Sequence, residues 1–284
     1  MKSILLPTDF SQNSINAIHY VHDMFKGERC EFYLLNVQKA SSYISDDLMT
    51  LQPTTTIYEN LIQNSKKSIE KIVTNVQKKY AKDNHVYHTL VDYDNFIDAI
   101  EQLVKTKDIC LIAMGTKGAT GADKVLFGSN TVKVIQHNDC PVLAVPNNCK
   151  FRMLNKIAFT SNYLTHYKKE ELKPLITLAN KFASKIDVLH ITKGEHLTEG
   201  QENNRAFLDE LFSNLNHEFI NLANTDLFET VEHYIQYNDM DLLAMMSRKH
   251  SFLERLFTRH NVEKFAFKIS IPLLVMTNTG KLIE

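Results

Sequence analysis

Half of the chain's glycines fall within one short stretch. Of eight glycines in 284 residues, four lie between positions 115 and 128, in the sequence GTKGATGADKVLFG. The skeleton Gly115-x2-Gly118-x9-Gly128-Ser129 follows the apolar run ICLIAM and precedes residues with helical spacing. Gly115 and Gly118 allow a sharp turn that presents backbone amides. Gly128 allows an anion to approach the first N–H groups of the next helix, where the helix dipole favours negative charge. The spacing therefore predicts a phosphate-binding loop between a strand and a helix.

Polar side chains at two further places can contribute to the same site. Ser129, Asn130 and Thr131 begin the predicted helix and offer hydrogen-bonding groups there. Asp9 directly follows the first predicted strand, SILL. Ligands of open parallel sheets bind at the carboxyl ends of the strands, so Asp9 is expected at the same edge as the loop. Its carboxylate could accept hydrogen bonds from ribose hydroxyls or help to hold a metal ion.

The twelve histidines show no metal-binding motif such as HExxH. His19, His22 and Asp23 share one face of a predicted helix, and with no further ligand beside them we interpret them as a surface cluster. His85 and His88 flank the start of a predicted strand and are expected to be exposed. The histidines therefore predict no metal site.

Nucleophilic chemistry finds equally little support. The sequence contains neither GxSxG nor GxxxxGK[ST], and the acidic residues form no visible acid–base pair. The four cysteines are widely spaced without a CxxC motif, which indicates reduced thiols. Cys30, Cys110 and Cys140 border or lie in apolar strands, so we expect them to be small buried hydrophobic residues.

Strand and helix patterns alternate along the first half. Apolar runs predict strands at 3–6, 32–37, 86–91, 109–114 and 140–146. Helical spacing predicts helices at 57–82, at 95–105, after Ser129, and after a cap at Ser11 or Asn13. The lysines of the 57–82 helix are expected on its solvated face. Strands that alternate with helices imply crossover connections and a parallel sheet.

The pattern then repeats. NKIAFTSN resembles KSILLPTD, KIDVLHI resembles EFYLLNV, DMDLLAM resembles DICLIAM, and IPLLVMT resembles CPVLAVP. The last two pairs are separated by the same distance along the chain, which indicates duplication of a whole α/β unit. The apolar periodicity lapses near 147–155. We therefore predict one domain over 1–147 and a second over 155–284.

The glycine spacing in its strand–helix context resembles the universal stress protein family, whose ATP-binding members carry Gly-x2-Gly-x9-Gly-(Ser/Thr) at this place. The whole chain resembles a tandem member. The resemblance implies two doubly wound, Rossmann-like α/β domains, each with a five-stranded parallel sheet, packed as a pseudo-dimer through their last strands. It also implies a site for ATP, ADP or AMP, with or without Mg²⁺. By matching position, the nucleotide-binding residues would be Pro7, Thr8, Asp9, Val37, Met114, Gly115, Gly118, Gly128, Ser129, Asn130 and Thr131.

The second half lacks this loop. Met246 replaces Gly115, Asn162 replaces Asp9, and Thr258-Arg259 replaces Gly128-Ser129, while Lys249 or Arg248 replaces Gly118. A second nucleotide site of the same kind is therefore not expected. The replacement loop is basic, with the side chains of Arg248, Lys249, His250, Arg259 and His260.

Two interpretations of the basic loop remain open. It could bind an anion or an acidic partner through side chains. Alternatively, Phe252, Leu253, Leu256 and Phe257 could fill the vacated cleft of a degenerate domain, which would be stabilising at ~1.5–3 kcal/mol per buried side chain. The sequence favours the second interpretation.

Composition excludes several other classes of protein. The formal net charge is −1, with 32 basic and 33 acidic side chains. The chain therefore lacks the excess of positive charge that is typical of general binding to nucleic acids or anionic membranes. No apolar run approaches the ~18 residues of a membrane span, and the apolar run near the N-terminus is too short for a signal peptide. We therefore expect a cytoplasmic protein.

These observations predict a nucleotide-responsive stress or signalling module, in which occupancy orders residues 38–56 and changes the surface offered to an unidentified protein partner. A slow ATPase that uses Asp9 or a metal-bound water ranks lower, because no convincing general base for a water nucleophile is present. A ligand-free interaction or scaffold protein is the other alternative. Further association into homodimers is left open.

Overall fold

The computed structural model describes residues 1–38, 54–93, 95–116, 128–192, 196–223, 227–247 and 270–280. In the first half the strands are β1 Lys2–Pro7, β2 Cys30–Val37, β3 Val86–Asp92, β4 Leu111–Gly115 and β5 Val142–Val145. Its helices are α1 Gln12–Met24, α2 Thr54–Lys79, α3 Phe96–Thr106 and α4 Ser129–His137. In the second half the strands are β6 Lys156–Thr160, β7 Lys185–Thr192, β8 His217–Ala223, β9 Leu242–Ser247 and β10 Leu273–Thr277. Its described helices are α5 Lys169–Phe182, α6 Glu199–Phe212 and α7 Leu227–Tyr237.

All ten strands form one continuous sheet in the order β3-β2-β1-β4-β5-β10-β9-β6-β7-β8. Neighbours within each half are parallel, and each half has the same order of five strands. β5 and β10 pair antiparallel and join the halves, with Leu143 opposite Leu274. The predicted doubly wound α/β fold, its duplication and the pairing through the last strands are therefore confirmed.

Two apolar layers cover the two faces of the sheet. The alternating side chains of β1 show the division, because Ile4 and Leu6 belong to one layer and Leu5 to the other. α1, α2, α5 and α6 cover the first face, whereas α3, α4 and α7 cover the second. Such burial on both faces explains the near-continuous apolar runs of the strands.

Helix and linker contacts reinforce the joint between the halves. Tyr20 of α1 packs edge-on against Phe151 of the linker, with ring centroids 5.4 Å apart. Phe151 in turn packs against Phe182 at the end of α5, at 5.7 Å. The Lys181 ammonium forms an ion pair with Glu28 of the first half. Apolar and ionic contacts outside the sheet therefore add to the β5–β10 pairing.

Three exposure predictions were wrong. His22 is completely buried, because it follows Ile18 by one helical turn on the inward face of α1 and finds hydrogen-bond partners there. The His85 side chain is also 0% exposed, whereas that of His88 is 40% exposed, as expected for a residue on an edge strand. Cys30 and Cys140 are buried as predicted, but Cys110 is exposed because it precedes β4 rather than lying in the strand.

The predicted lysine face is confirmed, since Lys66, Lys67, Lys71, Lys78 and Lys79 are exposed on α2. In the described ranges no helix is both long and apolar enough to cross a membrane. Within the same ranges, no group of three or more His, Cys, Asp or Glu residues is placed to hold a metal ion.

Candidate functional site

The first half reverses its strand order between β1 and β4, which lie side by side with Ile4 opposite Leu111. The segment after β1 and the segment after β4 therefore leave the sheet next to each other. An edge of this kind, at the carboxyl ends of the strands, is where open α/β sheets bind ligands. Pro7 and Gly115 are the last residues of the two strands.

A network of short hydrogen bonds shapes the turn after β1. The Thr8 amide donates to the Leu35 carbonyl at 2.8 Å, and the Thr8 hydroxyl accepts from the Phe10 amide at 3.1 Å. Phe10 adopts a φ of 64°, which is uncommon for a residue with a side chain. Ser11 then caps α1 by accepting from the Ser14 amide at 3.2 Å. The turn is thus held by a hydrogen bond to β2 and by hydrogen bonds among its own residues. Ser11 rather than Asn13 is the N-cap of α1.

Asp9 is the exposed residue of this turn. Its Oδ1 accepts from the Ser11 amide at 3.0 Å and from the Ser11 hydroxyl at 2.6 Å. Partial burial raises the pKa of Asp9, but the hydrogen bonds from Ser11 and Ser14 outweigh that effect and hold it below its usual value. The carboxylate is therefore charged at neutral pH, and its orientation is held by these donors. Such a group can accept hydrogen bonds from a ligand or coordinate a cation.

Gly115 lies directly against α1. A Cβ atom at this position would approach Asn13 Nδ2 to 2.5 Å and Asn13 Cγ to 2.7 Å. Glycine is therefore required by close packing between β4 and the first turn of α1. The spacing of the loop predicted a glycine that presents its amide, and this packing requirement is an additional one that the sequence did not reveal.

α4 begins directly beside Gly115. Gly128 is its N-cap, with φ −59° and ψ 147°, and the cap has no side-chain hydrogen bond. The Gly128 amide donates to the Thr116 carbonyl, which joins the two ends of the glycine-rich segment. The first turn of α4 contains no acidic residue. A helix start without a capping side chain or a carboxylate is open to an anionic group.

The three polar residues at the start of α4 point in different directions. Ser129 and Asn130 are exposed, whereas Thr131 is 2% exposed. The Thr131 hydroxyl donates to the Gly115 carbonyl at 3.0 Å, so it holds α4 against β4. Ser129 and Asn130 remain the side chains that can reach a ligand from this helix.

The end of β2 completes the edge. Val37 is half-buried at its last position, and Met114 of β4 is 6% exposed in the second apolar layer. Asn36 is buried and donates to the Thr8 carbonyl at 2.7 Å, while its Oδ1 accepts from Gln38 at 2.6 Å. Asn36 was not among the expected site residues, although a polar residue in the apolar run FYLLNV was a usable signal.

The structure therefore brings ten of the eleven expected residues to the carboxyl edge of β1, β2 and β4 and the adjoining start of α4. Gly118 lies outside the described residues, as do 39–53 of the expected nucleotide-ordered segment.

The second half keeps the turn but changes its chemistry. The Ser161 amide donates to Leu189 O at 2.9 Å, and Tyr163, with φ 56°, donates its amide to Ser161 Oγ at 3.1 Å. These bonds match those of Thr8 and Phe10. Asn162 stands in the place of Asp9 and Met246 in that of Gly115, so both the carboxylate and the glycine that packs against the helix are absent from this edge.

A hydrogen bond at the end of β7 completes the correspondence. His190 takes the place of Asn36, with Nδ1 3.0 Å from the Ser161 carbonyl. The basic loop residues Arg248, Lys249, His250, Arg259 and His260, and the apolar Phe252, Leu253, Leu256 and Phe257, lie outside the described residues.

Comparison with known proteins points to the family that the glycine spacing resembles. A sequence model described as the universal stress protein family matches residues 1–146. Universal stress protein MJ0531 of Methanocaldococcus jannaschii is 30% identical over 145 residues, which cover 51% of this chain and 81% of that protein. Universal stress protein YxiE of Bacillus subtilis is 29% identical over 145 residues, covering 50% of this chain and 97% of that protein.

A solved structure extends the likeness of fold to both halves. A universal stress protein from Archaeoglobus fulgidus superposes with a TM-score of 0.67 at 17% identity, covering 97% of this chain and 96% of the other. A second, from Pseudomonas aeruginosa, gives 0.59 at 12% identity, covering 98% and 93%. The family match over the first half and the repeated strand order of the second show that the chain belongs to the universal stress protein family as a tandem member.

Proposed function

We propose that this protein binds ATP, or the related nucleotides ADP or AMP, in a domain formed by residues 1–147, and that it acts as a nucleotide-responsive stress or signalling module. One observation carries the proposal. At the point where strand order reverses, the charged Asp9 turn, the tightly packed Gly115 and the uncapped start of α4 lie at one edge of the sheet. The resemblance of the glycine spacing to ATP-binding members of the family supports the choice of ligand.

The residues present fit a nucleotide. The start of α4 offers backbone N–H groups, with Ser129 and Asn130 exposed beside them, and these would bind phosphate oxygens. The Asp9 carboxylate would accept from ribose hydroxyls or hold Mg²⁺ that accompanies the phosphates. Val37 and Met114 would contact the base, while Thr8 and Thr131 would hold these groups in place through their hydrogen bonds.

We propose further that residues 155–284 form a degenerate domain that binds no nucleotide of this kind. Met246 places a side chain where Gly115 allows close packing, and Asn162 supplies no negative charge in place of Asp9. The second half would then serve to complete the ten-stranded sheet and to carry surface for a protein partner. We also propose a cytoplasmic location, in keeping with four free cysteines.

Calorimetric titration of the full-length protein with Mg·ATP tests the stoichiometry. We expect about one site per chain with affinity near micromolar, which corresponds to roughly −8 kcal/mol. A stoichiometry near two would contradict the degenerate second half. No binding by protein shown to be free of copurified nucleotide would contradict the proposal and favour a ligand-free interaction protein.

Substitution of Gly128 tests the position of the phosphates. Gly128→Asp introduces a good N-cap residue, so α4 should form at least as well, but it places a negative charge where phosphate would bind. Gly128→Asn is the matched control, because asparagine caps equally well without the charge. We expect the aspartate variant to lose at least about tenfold more ATP affinity than the asparagine variant, or 1.4 kcal/mol. Equal affinities in the two variants would show that phosphate binds elsewhere.

A further inference from the structure

A cluster of buried imidazole and phenol rings lies at the amino end of the sheet in the first half, opposite the proposed nucleotide edge. His22 near the end of α1 stacks on Phe32 of β2, with centroids 4.1 Å apart. It is also 4.9 Å from the ring of Tyr80 and 5.7 Å from that of Tyr87. His85 meets the His22 ring edge-on at 5.5 Å. The cluster thus connects α1, the end of α2, β2 and the edge strand β3.

The hydrogen bonds define which nitrogen of His22 carries the proton. Nδ1 lies 2.7 Å from the Ile18 carbonyl, which can only accept, so Nδ1 donates. In the neutral ring Nε2 must then accept, and it lies 3.1 Å from the Tyr87 hydroxyl, which donates to it. A second proton on Nε2 would force the Tyr87 hydroxyl to turn and accept, and it would place a full positive charge on a ring that is 0% exposed. The site is therefore built for the neutral ring.

His85 is arranged in a similar way. Its Nδ1 accepts from the Cys30 amide at 3.3 Å, so in the neutral ring Nε2 carries the proton. That Nε2 faces Asp83 Oδ2 at 3.6 Å, while Asp83 Oδ1 accepts from the Gly27 amide at 3.1 Å. Both imidazoles are completely shielded from solvent. Two protonated rings at 5.5 Å would repel each other without water to screen them.

We propose that this cluster, His22, Tyr80, Asp83, His85 and Tyr87, is an acid-sensitive latch: its neutral imidazoles hold the segment 80–92 against α1 and β2, and their protonation releases that segment. Among the described strands β3 is at the edge of the sheet and pairs with β2 alone, so its release leaves the other strand pairings intact. The released segment would expose the edge of β2. Acidification thereby changes the surface of the first half without unfolding the second.

Some of the titratable groups around the cluster oppose protonation of His22, and others favour it. The titratable groups on the packed elements are His19 and Asp23 of α1, Lys79 at the end of α2, Tyr80 and Asp83 after it, Cys30 of β2, and His85 and Tyr87 before and in β3. Burial lowers the pKa of His22 to about 4 and outweighs the opposing hydrogen bond to Ile18, while the charges of His85, His19 and Lys79 add smaller effects in the same direction as burial. Burial also lowers the pKa of His85, against the attraction of Asp83.

The lowered pKa of His22 determines how the stability of the closed latch changes with pH. The pKa of His22 is lower in the closed state than its ordinary value of 6.5, so the open state binds the proton more tightly. Stability is full above pH 6.5 and declines as the pH falls from there towards 4. From these two pKa values the opening equilibrium should rise about 20-fold between pH 7 and pH 5.

Hydrogen exchange of the full-length protein at pH 7 and pH 5 tests the latch. Amide protection factors, which correct for the intrinsic pH dependence of exchange, should fall by about 20-fold in residues 80–92. β8 is the internal reference, because His217 at its start is partly exposed and pairs with Asp209 at 2.8 Å; its protection should stay within about threefold. Protection of 80–92 that is equal at the two pH values would overturn the proposal.

His22→Gln separates the imidazole from the general effect of pH. A glutamine amide can donate to the Ile18 carbonyl and accept from Tyr87, but it does not titrate. We expect this variant to lose most of the pH dependence in 80–92, whereas the control His88→Gln, at a 40% exposed side chain, should retain it. An undiminished pH dependence in the His22 variant would overturn the proposal.

NMR titration of the His22 ring in the unaltered protein provides a test that needs no variant. We expect the ring to remain neutral at pH 6 and to keep one tautomer, with the proton on Nδ1. A midpoint near the ordinary value of 6.5 would overturn the proposal, because no differential proton affinity would then drive release.

Discussion

Replacement of Gly115 by alanine tests whether close packing requires glycine at the proposed nucleotide edge. The added Cβ would lie 2.5 Å from Asn13 Nδ2, 2.7 Å from Asn13 Cγ and 3.0 Å from Asn13 O. Asn13 is 6% exposed, so its side chain has little room to move away. The methyl group must therefore push the first turn of α1 away from β4.

Two opposing effects determine the size of the change. Overpacking of a buried site costs about 1–3 kcal/mol. Alanine restricts the unfolded chain more than glycine does, and this entropic effect raises the unfolding free energy by about 0.4–1 kcal/mol. The net loss of unfolding free energy should therefore be about 1–2 kcal/mol. In Asn13→Ala the two nearest side-chain atoms, at 2.5 and 2.7 Å, are removed, and of the three nearest atoms the backbone oxygen at 3.0 Å remains.

Urea unfolding of the four proteins of this double-mutant cycle, without nucleotide, measures the effect. We expect Gly115→Ala to lower the transition midpoint with little change in the slope, and to cost less in the Asn13→Ala background. The coupling between the two substitutions should be at least about 0.5 kcal/mol. A Gly115→Ala protein as stable as the unaltered one, or no coupling with Asn13, would refute the packing explanation.

Two further predictions concern ion pairs at the joint between the halves. Arg152→Met should lower the unfolding free energy by about 1–2 kcal/mol, because Asp241 is 6% exposed and loses a guanidinium at 2.6 Å, while the half-exposed arginine limits the loss. The matched change Asp239→Asn, at an 82% exposed side chain, should cost less than about 0.5 kcal/mol in the same urea unfolding. Partial burial raises the pKa of Glu28, but the ion pairs with Lys181 and Lys2 together outweigh that effect, so the folded pKa is below the unfolded value of 4.5. The stabilisation is therefore present above that value and lost as the pH falls through the folded pKa. Glu28→Gln should be less stable than the unaltered protein at neutral pH, and this difference should close as the pH falls below 4.5 and through the folded pKa. A stability gap that persists in acid would refute this role for Glu28.

The latch and the proposed nucleotide edge lie at opposite ends of α1. Ser11 and Asn13 are at the carboxyl edge of the sheet, whereas His22 is at its amino end. Between them, Asn16 donates to the carbonyls of Pro146 at 3.3 Å and Cys149 at 3.0 Å, at the end of β5 and the start of the linker. One helix therefore contacts both proposed sites and the connection to the second half.

The sequence by itself determined the fold class, the duplication and the edge at which the candidate site lies. Apolar runs that alternate with helical spacing can be read locally, and the repeat of DICLIAM as DMDLLAM indicates the duplication without any contact information. Parallel topology then places Asp9 and Gly115 at one edge, because both follow buried strands. These features depend on short-range sequence patterns and on the right-handed crossover that connects parallel strands.

The tertiary structure alone decided which polar residues are buried and why. His22 and Asp23 are neighbours on one helix, yet only His22 is fully enclosed, because Phe32 of the next strand stacks on it and Tyr87, far along the chain in β3, hydrogen-bonds to it. Thr131 turns its hydroxyl inward for the same kind of reason, since the Gly115 carbonyl is available to it only after β4 and α4 have packed. Hydrogen-bond partners distant in sequence determine burial, and local periodicity carries no information about them.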